Sequence, residues 1–600
     1  MKTFLILIFP ALLFSQTTYY VSSSGDDTNS GISSETPWKT PHKVATMTFA
    51  TSDSILFNRG DTFYGEFSRT TIEVGYNGTA NDLFYIGAYG TGAKPIFILD
   101  GSDLVWTATT HDSIYGAWIG KCYSTIAYED IGGIWTQMTN KQGGTTRLYL
   151  DDPDSIDAYL NTLTVSSYGP AVHETVGDTV YVKTSDGNAP NVKILRQNFF
   201  NASYLKMENL DFRNGWHGIQ TYPANNSTFR NLYFRNMIGI SFYLAGHSGN
   251  NLVDSCRADS GAYTMFYSWQ ASGNRFAYDS AITVIDTIMG IYSNIEQAGF
   301  GVERDTGTVI EYCYVENATQ GGIDSYFNTN DTIRYCTIVN SGIHGIFLSG
   351  DEWVAHNNTV TASTGMNVSI DRYTGFPVIP LGQTHVYDNT LTVSGRGLNF
   401  TSNGGVFNGN GSKGTVLFEN NTVTGSASNT NLSFFEAPDS VTSINNNFFG
   451  VGRWAKDAFP NYIFYTTLTA FQGVGFESGS TINEEGGAGD TLSVLSGNGE
   501  IQTILSRITL TAITDSADIR KSGHHGVWSV FSVPSGAWEQ TFIDTVSTSD
   551  EFGLLTATVR LGGKTGNYVF RFTADEALEG SPLDITVTAV RNGSVIFTRE

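Results

Sequence analysis

The sequence predicts an all-β chain: a long solenoid of short strands followed by a smaller β-sandwich. Three observations carry that prediction. A pattern reading hydrophobic-x-x-column-x-hydrophobic recurs ten times, with the column at Leu210, Leu232, Cys256, Ser280, Cys313, Cys336, Asn358, Asn389, Asn421 and Asn447. The steps between these positions range from 22 to 33 residues, and a repeat that changes length while keeping its local pattern marks stacked units. Within the units, segments such as VIEYCYVEN, TIRYCTIVN and VAHNNTVTA alternate apolar and polar residues with a period of two, as half-buried strands do. The composition agrees: 65 Gly, only 14 Pro and few helical patterns suit strands joined by tight turns.

The elements follow in order. Met-Lys-Thr and the apolar run from Phe4 to Phe14, ending at Ser15-Gln16, read as a secretory signal over residues 1–16. The run is too short to span a membrane, and no other segment approaches that length. Residues 17–200 form a lead-in, a cap and irregular early turns, with strands at IYGAWIG and DTVYVKT. Regular repeats occupy 201–475, with second strands centred on Ile219, Ile240, Met265, Ile291, Ile323, Ile346, Met366, Leu398 and Leu432. A Gly/Ser/Glu-rich linker spans 476–489, a second domain 490–592 and a tail 593–600.

Charge and cysteine content bound the function. A net charge of −24 argues against nucleic acid or an anionic membrane as partner, and favours a neutral or mildly charged one. Of the four cysteines, Cys256, Cys313 and Cys336 stand in the column as buried small residues; Cys313 and Cys336, on successive turns, are also close enough to bridge. The asparagines of the column predict a stacked amide ladder inside the coil, a packing role rather than a chemical one.

Two stretches carry family resemblances. YYVSSSGDDTNSGISSETPWKT, with Gly25, Asp27, Asn29, Gly31, Pro37 and Trp38, and SILFNRGDTFYGEF resemble the opening of secreted right-handed parallel β-helix proteins of the broad pectate-lyase-like group. That resemblance extends through the repeats to about residue 475 and implies a right-handed parallel β-helix acting on polysaccharide. LSVLSGNGE, ITLTAITD, GVWSVFSV and TSDEFGLLTATVRLGGKTGNYVFRFTA resemble bacterial Ig-like domains of invasin type. The matching residues are Gly497, Gly499, Asp515, Val530, Phe531, Asp550, Gly553, Leu561, Gly562 and Gly566. The RKSGHHGVW segment departs from that pattern, and His524 and His525 read there as an exposed loop rather than a metal pair.

The repeat spacing also locates a cleft. The step from Ile323 to Ile333 is 10 residues and from Ile346 to Val354 is 8, whereas Ile291 to Val309 is 18, Met366 to Val386 is 20 and Leu398 to Leu417 is 19. Extra chain on one edge of a solenoid frames a binding face. The predicted walls are NIEQAGFGVERDT on one side, and DRYTGFPVIPLGQ with TSNGGVFNGNGSKG on the other; the floor is GGIDSYFN and GIHGIFLSGDE.

Three chemistries fit this cleft. Asp324 with Asp351 or Glu303 makes the carboxyl pair of a glycoside hydrolase, one protonating the leaving oxygen and the other attacking or activating water. Tyr326 or His344 as base, with Arg304 or Arg372 neutralising a uronate and Asp305, Asp351 and Asp371 as calcium ligands, makes a lyase. The floor has no Lys, which many lyases of this fold use as base. The third reading is a non-catalytic adhesin or carbohydrate-binding solenoid carrying an Ig-like spacer. Tyr222, Tyr243, Phe266 and Trp269 are expected outward as a sugar-stacking surface. The expected protein is a secreted or cell-surface monomer whose partner is an extracellular polysaccharide, with no membrane span and no cofactor beyond Ca2+.

Overall fold

The computed structural model describes residues 16–67, 76–118, 126–131, 134–140, 160–169, 179–284, 297–363 and 383–393 as continuous stretches, with shorter pieces elsewhere up to residue 590. The expected signal, Cys122, His524, Arg372 and residues 285–296, 373–382 and 402–414 lie outside the described residues. The chain forms two compact units: Met1–Asn446 with Val451–Ser480, and Asn447–Gly450 with Thr481–Glu600. Among the described residues no helix is long and apolar enough to cross a membrane.

The first unit is a parallel β-helix whose strands stack into three sheets, each consecutive coil adding one strand to every sheet. Sheet 1 starts with Thr18–Val21, Ser54–Asn58 and Phe84–Tyr89, then continues from Leu205–Glu208 to Ser440–Ile444. Sheet 2 starts with Thr62–Tyr64 and Ile96–Ile98 and continues from Asp211–Arg213 through Thr422–Gly425. Sheet 3 starts with Tyr76–Asn77 and continues from Asn198–Ser203 through Arg453–Lys456. The coils therefore begin at Thr18. The described residues between 100 and 196 form an insertion within the third coil, between its sheet 2 strand Ile96–Ile98 and its sheet 3 strand Asn198–Ser203; its strands Ile114–Trp118 and Thr179–Lys183 pair antiparallel with each other. The insertion has its own core of Ala117, Ala127, Met138, Tyr168, Val180, Val182 and Ile194.

Local geometry explains the repeat. The residue before each column position turns the chain from sheet 1 to sheet 2 in the left-handed conformation, at Asn209, Asn231, Ser255, Tyr278, Tyr312, Tyr335, Asn357, Asp388, Asn420 and Asn445. Asn and Asp tolerate that region better than other side-chain-bearing residues, and they fill six of these ten positions. The next residue then points inward. The column is ten long as expected, but two members are shifted by one: Asp279 stands where Ser280 was expected, and Asn446 where Asn447 was. Asp279 and Asn446 are buried, whereas Ser280 and Asn447 each begin the strand that follows. Polar neighbours on both sides hid the register; the three-residue spacing from Phe276 and Ser443, both buried, decides it.

The amide ladder is present. Oδ1 of Asn389 accepts from the backbone N–H and the Nδ2 of Asn358, at 2.9 and 3.0 Å, and Oδ1 of Asn421 accepts the same pair from Asn389, both at 3.0 Å. Asn446 continues the ladder with Asn421, at 2.8 and 3.2 Å. Each Nδ2 also donates to a sheet 1 carbonyl one coil back: Ile333, Ala355, Val386 and Phe418 for Asn358, Asn389, Asn421 and Asn446. Asp279 occupies the same place with one atom wrong. Its Oδ1 accepts from the Cys256 N–H at 2.7 Å, but its Oδ2 is buried without a hydrogen-bond partner. Burial pushes this carboxyl well above the usual carboxylate range. An amide restores the missing donor, so Asp279→Asn is expected to stabilise the chain by about 1–3 kcal/mol, seen as a higher urea midpoint at pH 7. An unchanged or lower midpoint contradicts this account.

Cys256, Cys313 and Cys336 are buried free thiols in the column. The Sγ–H groups of Cys313 and Cys336 donate to the Glu311 and Arg334 carbonyls at 3.3 and 3.4 Å, and burial raises the Cys313 thiol far above its ordinary value. Aromatic rings extend the stacking at coil spacing, as with Phe266 and Phe300, 4.9 Å apart at 13°.

The second unit is a β-sandwich. One sheet orders Thr491–Ser496, Arg507–Ser516, Leu554–Arg560 and Thr541–Phe542; the other orders Glu500–Thr503, Leu583–Val590, Gly566–Ala574, His525–Ser532 and Val546–Thr548. Leu510, Leu555 and Val559 of the first sheet and Trp528, Phe570, Phe572 and Ile585 of the second share one core. His525, expected in a loop, instead opens a strand and pairs with Thr548.

Candidate functional site on sheet 3

The register of sheet 3 places five of the predicted site residues, Tyr243, Trp269, Glu303, Asp324 and Tyr326, on one outer face. One outward row runs Gln220, Tyr243, Tyr267, Gly301, Asp324 and Phe347 across successive coils. Two residues further along the strands, a second row runs Trp269, Glu303 and Tyr326. Asp324 and Glu303 thus lie on adjacent strands with their Cα atoms roughly 8 Å apart, from one strand spacing and two residue rises.

Each side chain has an identifiable constraint. Gly301 has no Cβ, and one added there would come within 2.6 Å of the Tyr267 ring. That vacancy lets Tyr267 lie across the row and donate its hydroxyl to Glu303 Oε2. Arg304, in the left-handed conformation, turns its Nε to 3.5 Å from Glu303 Oε1. Glu303 is therefore a carboxylate held by one cation and one hydroxyl. Asp324 is 2 % exposed although it points outward. Its carboxyl lies over Gly321, where a Cβ would stand 1.9 Å from Oδ1. Tyr243 packs against Tyr267 at 5.3 Å, and desolvation with the nearby Glu303 charge raises its hydroxyl above the ordinary phenol value.

His344 sits beside Gly321 in the register, one coil on. Its ring packs 5.0 Å from Phe347, which packs 5.0 Å from Tyr326. Its Nδ1 is buried without a hydrogen-bond partner, and desolvation lowers the ring to about 4, so the imidazole is neutral at pH 7. His217, further along the helix, is a structural group: its Nδ1 accepts from the Ile240 N–H at 2.7 Å.

Several expectations need correction. The paired strand of the long coil is Ala298–Glu303, not a segment around Ile291. The extra residues of that coil therefore precede sheet 3, while those at 372–382 and 402–414 follow it; the three insertions do not share one edge. Glu303 and Arg304 consequently belong to the floor or its margin rather than to a wall. Phe266 is not a surface aromatic: it is fully buried, and the outward residue is its neighbour Tyr267. Alternation along a strand makes a one-residue error a change of face. Tyr222 is exposed, and Tyr243 and Trp269 are partly exposed, as expected.

Asp305 is not a calcium ligand at the surface. It is 1 % exposed inside the turn after sheet 3, where Oδ1 accepts from the Ala271 N–H at 2.8 Å and Oδ2 from the Thr308 hydroxyl at 3.2 Å. Burial pushes its carboxyl up to about 6. Asp331, in the corresponding turn one coil on, accepts from the Thr308 N–H. Asp351 pairs in register with Thr329, and Asp371 with Thr401, so the backbone does not gather the three expected ligands at one point. No group of three or more His, Cys, Asp or Glu that could hold a metal occurs among the described residues.

No protein-family model matches the chain. A lacto-N-biosidase of Bifidobacterium longum subsp. longum is 25% identical over 224 residues, 32% of this chain and 14% of that protein's length. The chain is thus similar to a small part of a much longer protein. Among solved structures, the GH136 lacto-N-biosidase of Eubacterium ramulus has 15% identity at a TM-score of 0.40, covering 69% of this chain and 65% of that one. Pectate lyase Pel9A has 13% identity at a TM-score of 0.30, covering 69% and 78%.

Tyr267 is the site residue that the sequence reading passed over. Its signal was available: the step from Gln220 to Tyr243 is 23 residues and from Tyr243 to Tyr267 is 24, matching the coil length.

Proposed function

We propose that the outer face of sheet 3 hydrolyses glycosidic bonds of an extracellular, largely neutral glycan. The observation that carries this is the pairing of two unlike carboxyl groups on adjacent strands, Asp324 shut away from bulk water and Glu303 tied to Arg304 and Tyr267. Glycoside hydrolysis needs two carboxyl groups in unlike environments. Asp324 is assigned the acid that protonates the departing oxygen. Glu303 is assigned the carboxylate that attacks the sugar or activates water. Tyr243 and Trp269 supply ring surface for the sugar, Tyr267 holds Glu303 in place, and the neutral His344 supplies a hydrogen-bonding nitrogen for a hydroxyl. The local similarity to a protein named a lacto-N-biosidase supports hydrolysis over elimination. So does the engagement of Arg304 by Glu303, which leaves less positive charge to neutralise a uronate.

The second unit, read as an invasin-type Ig-like domain, is assigned a spacer or adhesive role, on a protein exported by its N-terminal signal and acting as a monomer. A panel of neutral and uronate polysaccharides tests the reading. New reducing ends without ultraviolet absorbance are expected. Reducing ends together with ultraviolet absorbance mean β-elimination and overturn the assignment; binding with neither product leaves the non-catalytic solenoid as the correct reading.

A further inference from the structure

We infer that the chain carries a second glycan-binding site, about five coils from the sheet 3 face, in the cavity between the first coils and the 100–196 insertion. The cavity has a volume of about 470 Å3, within the range of about 300–1,000 Å3 usual for small-molecule sites. It brings together residues far apart in sequence: Tyr64, Gly65 and Glu66 after the first sheet 2 strand, Asp103 and Trp118 of the insertion, and Arg196 where the chain returns to the coils.

Two features point to a sugar. The mouth carries aromatic rings that the fold does not bury: Trp118 is 54% exposed and Tyr64 49%, whereas Trp38, Trp353 and Trp528 are each 1% exposed. The His42 ring meets Trp118 at 4.7 Å and 77°, so the indole is held in place while much of its surface stays open. The base, in contrast, is charged and buried. Arg196, 2% exposed, places Nη2 2.5 Å from Asp103 Oδ1 and Nε 3.6 Å from Glu66 Oε2. Gly65 leaves room for it; a Cβ there would stand 3.1 Å from Arg196 Nη1. Aromatic surface over fixed hydrogen-bonding groups matches a pyranose, which has an apolar face and a rim of hydroxyls.

The charge balance selects a neutral sugar. The lining has Arg196 and Lys39 against Glu66, Asp103 and Asp27, so no single-sign field favours a uronate or an amine. Separation from the sheet 3 site is built in: five coil steps from Thr62–Tyr64 to Ser280–Val284 are about 24 Å along the axis. A site at that distance holds a long chain while another segment of it is cleaved, raising the local concentration of substrate.

The test uses the full-length chain in the Asp324→Asn background, so that no probe is degraded. Native affinity electrophoresis against galactomannan, xyloglucan, mixed-linkage β-glucan and polygalacturonate reads binding. At least one neutral polymer is expected to retard the protein, and Trp118→Ala to weaken that retardation tenfold or more. Tyr64→Ala, on a different segment, is expected to weaken it as well, which guards against a folding defect in either variant. Both substitutions in the wild-type background should leave cleavage of short oligosaccharides unchanged. No retardation by any neutral polymer, retardation only by polygalacturonate, or retardation unchanged in both variants overturns the proposal. None of these outcomes bears on cleavage at Asp324, which short substrates report separately.

Discussion

Asp324→Asn is expected to lower glycosidic cleavage by about 10²–10⁴-fold, the usual worth of a positioned proton donor. The substitution keeps shape and volume and removes only the transferable proton. Asp324 lies outside the strand-packing core, which is formed on the opposite side of the same strand by Ile323 and Ser325. The thermal midpoint should therefore stay near that of the wild type, so lost activity can be assigned to chemistry. Glu303→Gln is expected to lose activity comparably. Tyr267→Phe removes a single hydrogen bond to a charged group, worth about 1.5–3 kcal/mol, and should lose less. The measurement is kcat on whichever polysaccharide the panel identifies. An Asp324→Asn protein within threefold of the wild type would remove the proposed mechanism, whatever the glycan.

The largest effect on stability is expected at Asn389. Its side chain accepts two hydrogen bonds from Asn358 and donates to the Ala355 and Tyr387 carbonyls and to Asn421 Oδ1, all in the buried column. Asn389→Ala strands the Asn358 N–H without its partner and breaks the ladder in its middle. Because an unmade buried hydrogen bond costs about 1–3 kcal/mol, and several are lost together, a destabilisation of roughly 3 kcal/mol or more is expected. Urea unfolding of the full chain, with the transition of the β-helix unit followed separately from that of the sandwich, measures it. A loss below 1 kcal/mol would mean that the coil relaxes around the gap and that the ladder is ornament to the backbone pairing. The opposite sign expected for Asp279→Asn makes the two substitutions a matched pair: one removes an amide from the column and the other supplies one.

Much of the coil was legible because its cause is local. The left-handed residue, the inward column residue and the flanking short strands recur within a window of about ten residues, and backbone hydrogen bonding enforces the same window in every coil. Register failed only where local evidence was degenerate. At Asp279-Ser280 and in Asn445-Asn446-Asn447 neighbouring polar residues compete for one position, and at Phe266-Tyr267 two aromatics do. In GIYSNIEQAGFG two apolar centres compete for one strand, and choosing Ile291 over Phe300 moved an insertion to the wrong edge. Only pairing with the adjacent coils, Phe266 with Phe300 and Cys256 N–H with Asp279 Oδ1, separates these choices.

The sequence by itself determined an all-β chain, the number of the central coils and the asparagine ladder, because each follows from short-range periodicity or composition. Tertiary structure alone decided which carboxyl groups meet. Glu303 and Asp324 are 21 residues apart and come together because one coil stacks on the next with Gly301 opposite Asp324. It also removed Asp305 from the surface and joined Tyr64, Trp118 and Arg196, separated by more than 130 residues of chain, around one cavity. A strand's two faces differ by a single residue of register, and an insertion's docking depends on contacts with no sequence period, so neither can be read until the coils are stacked.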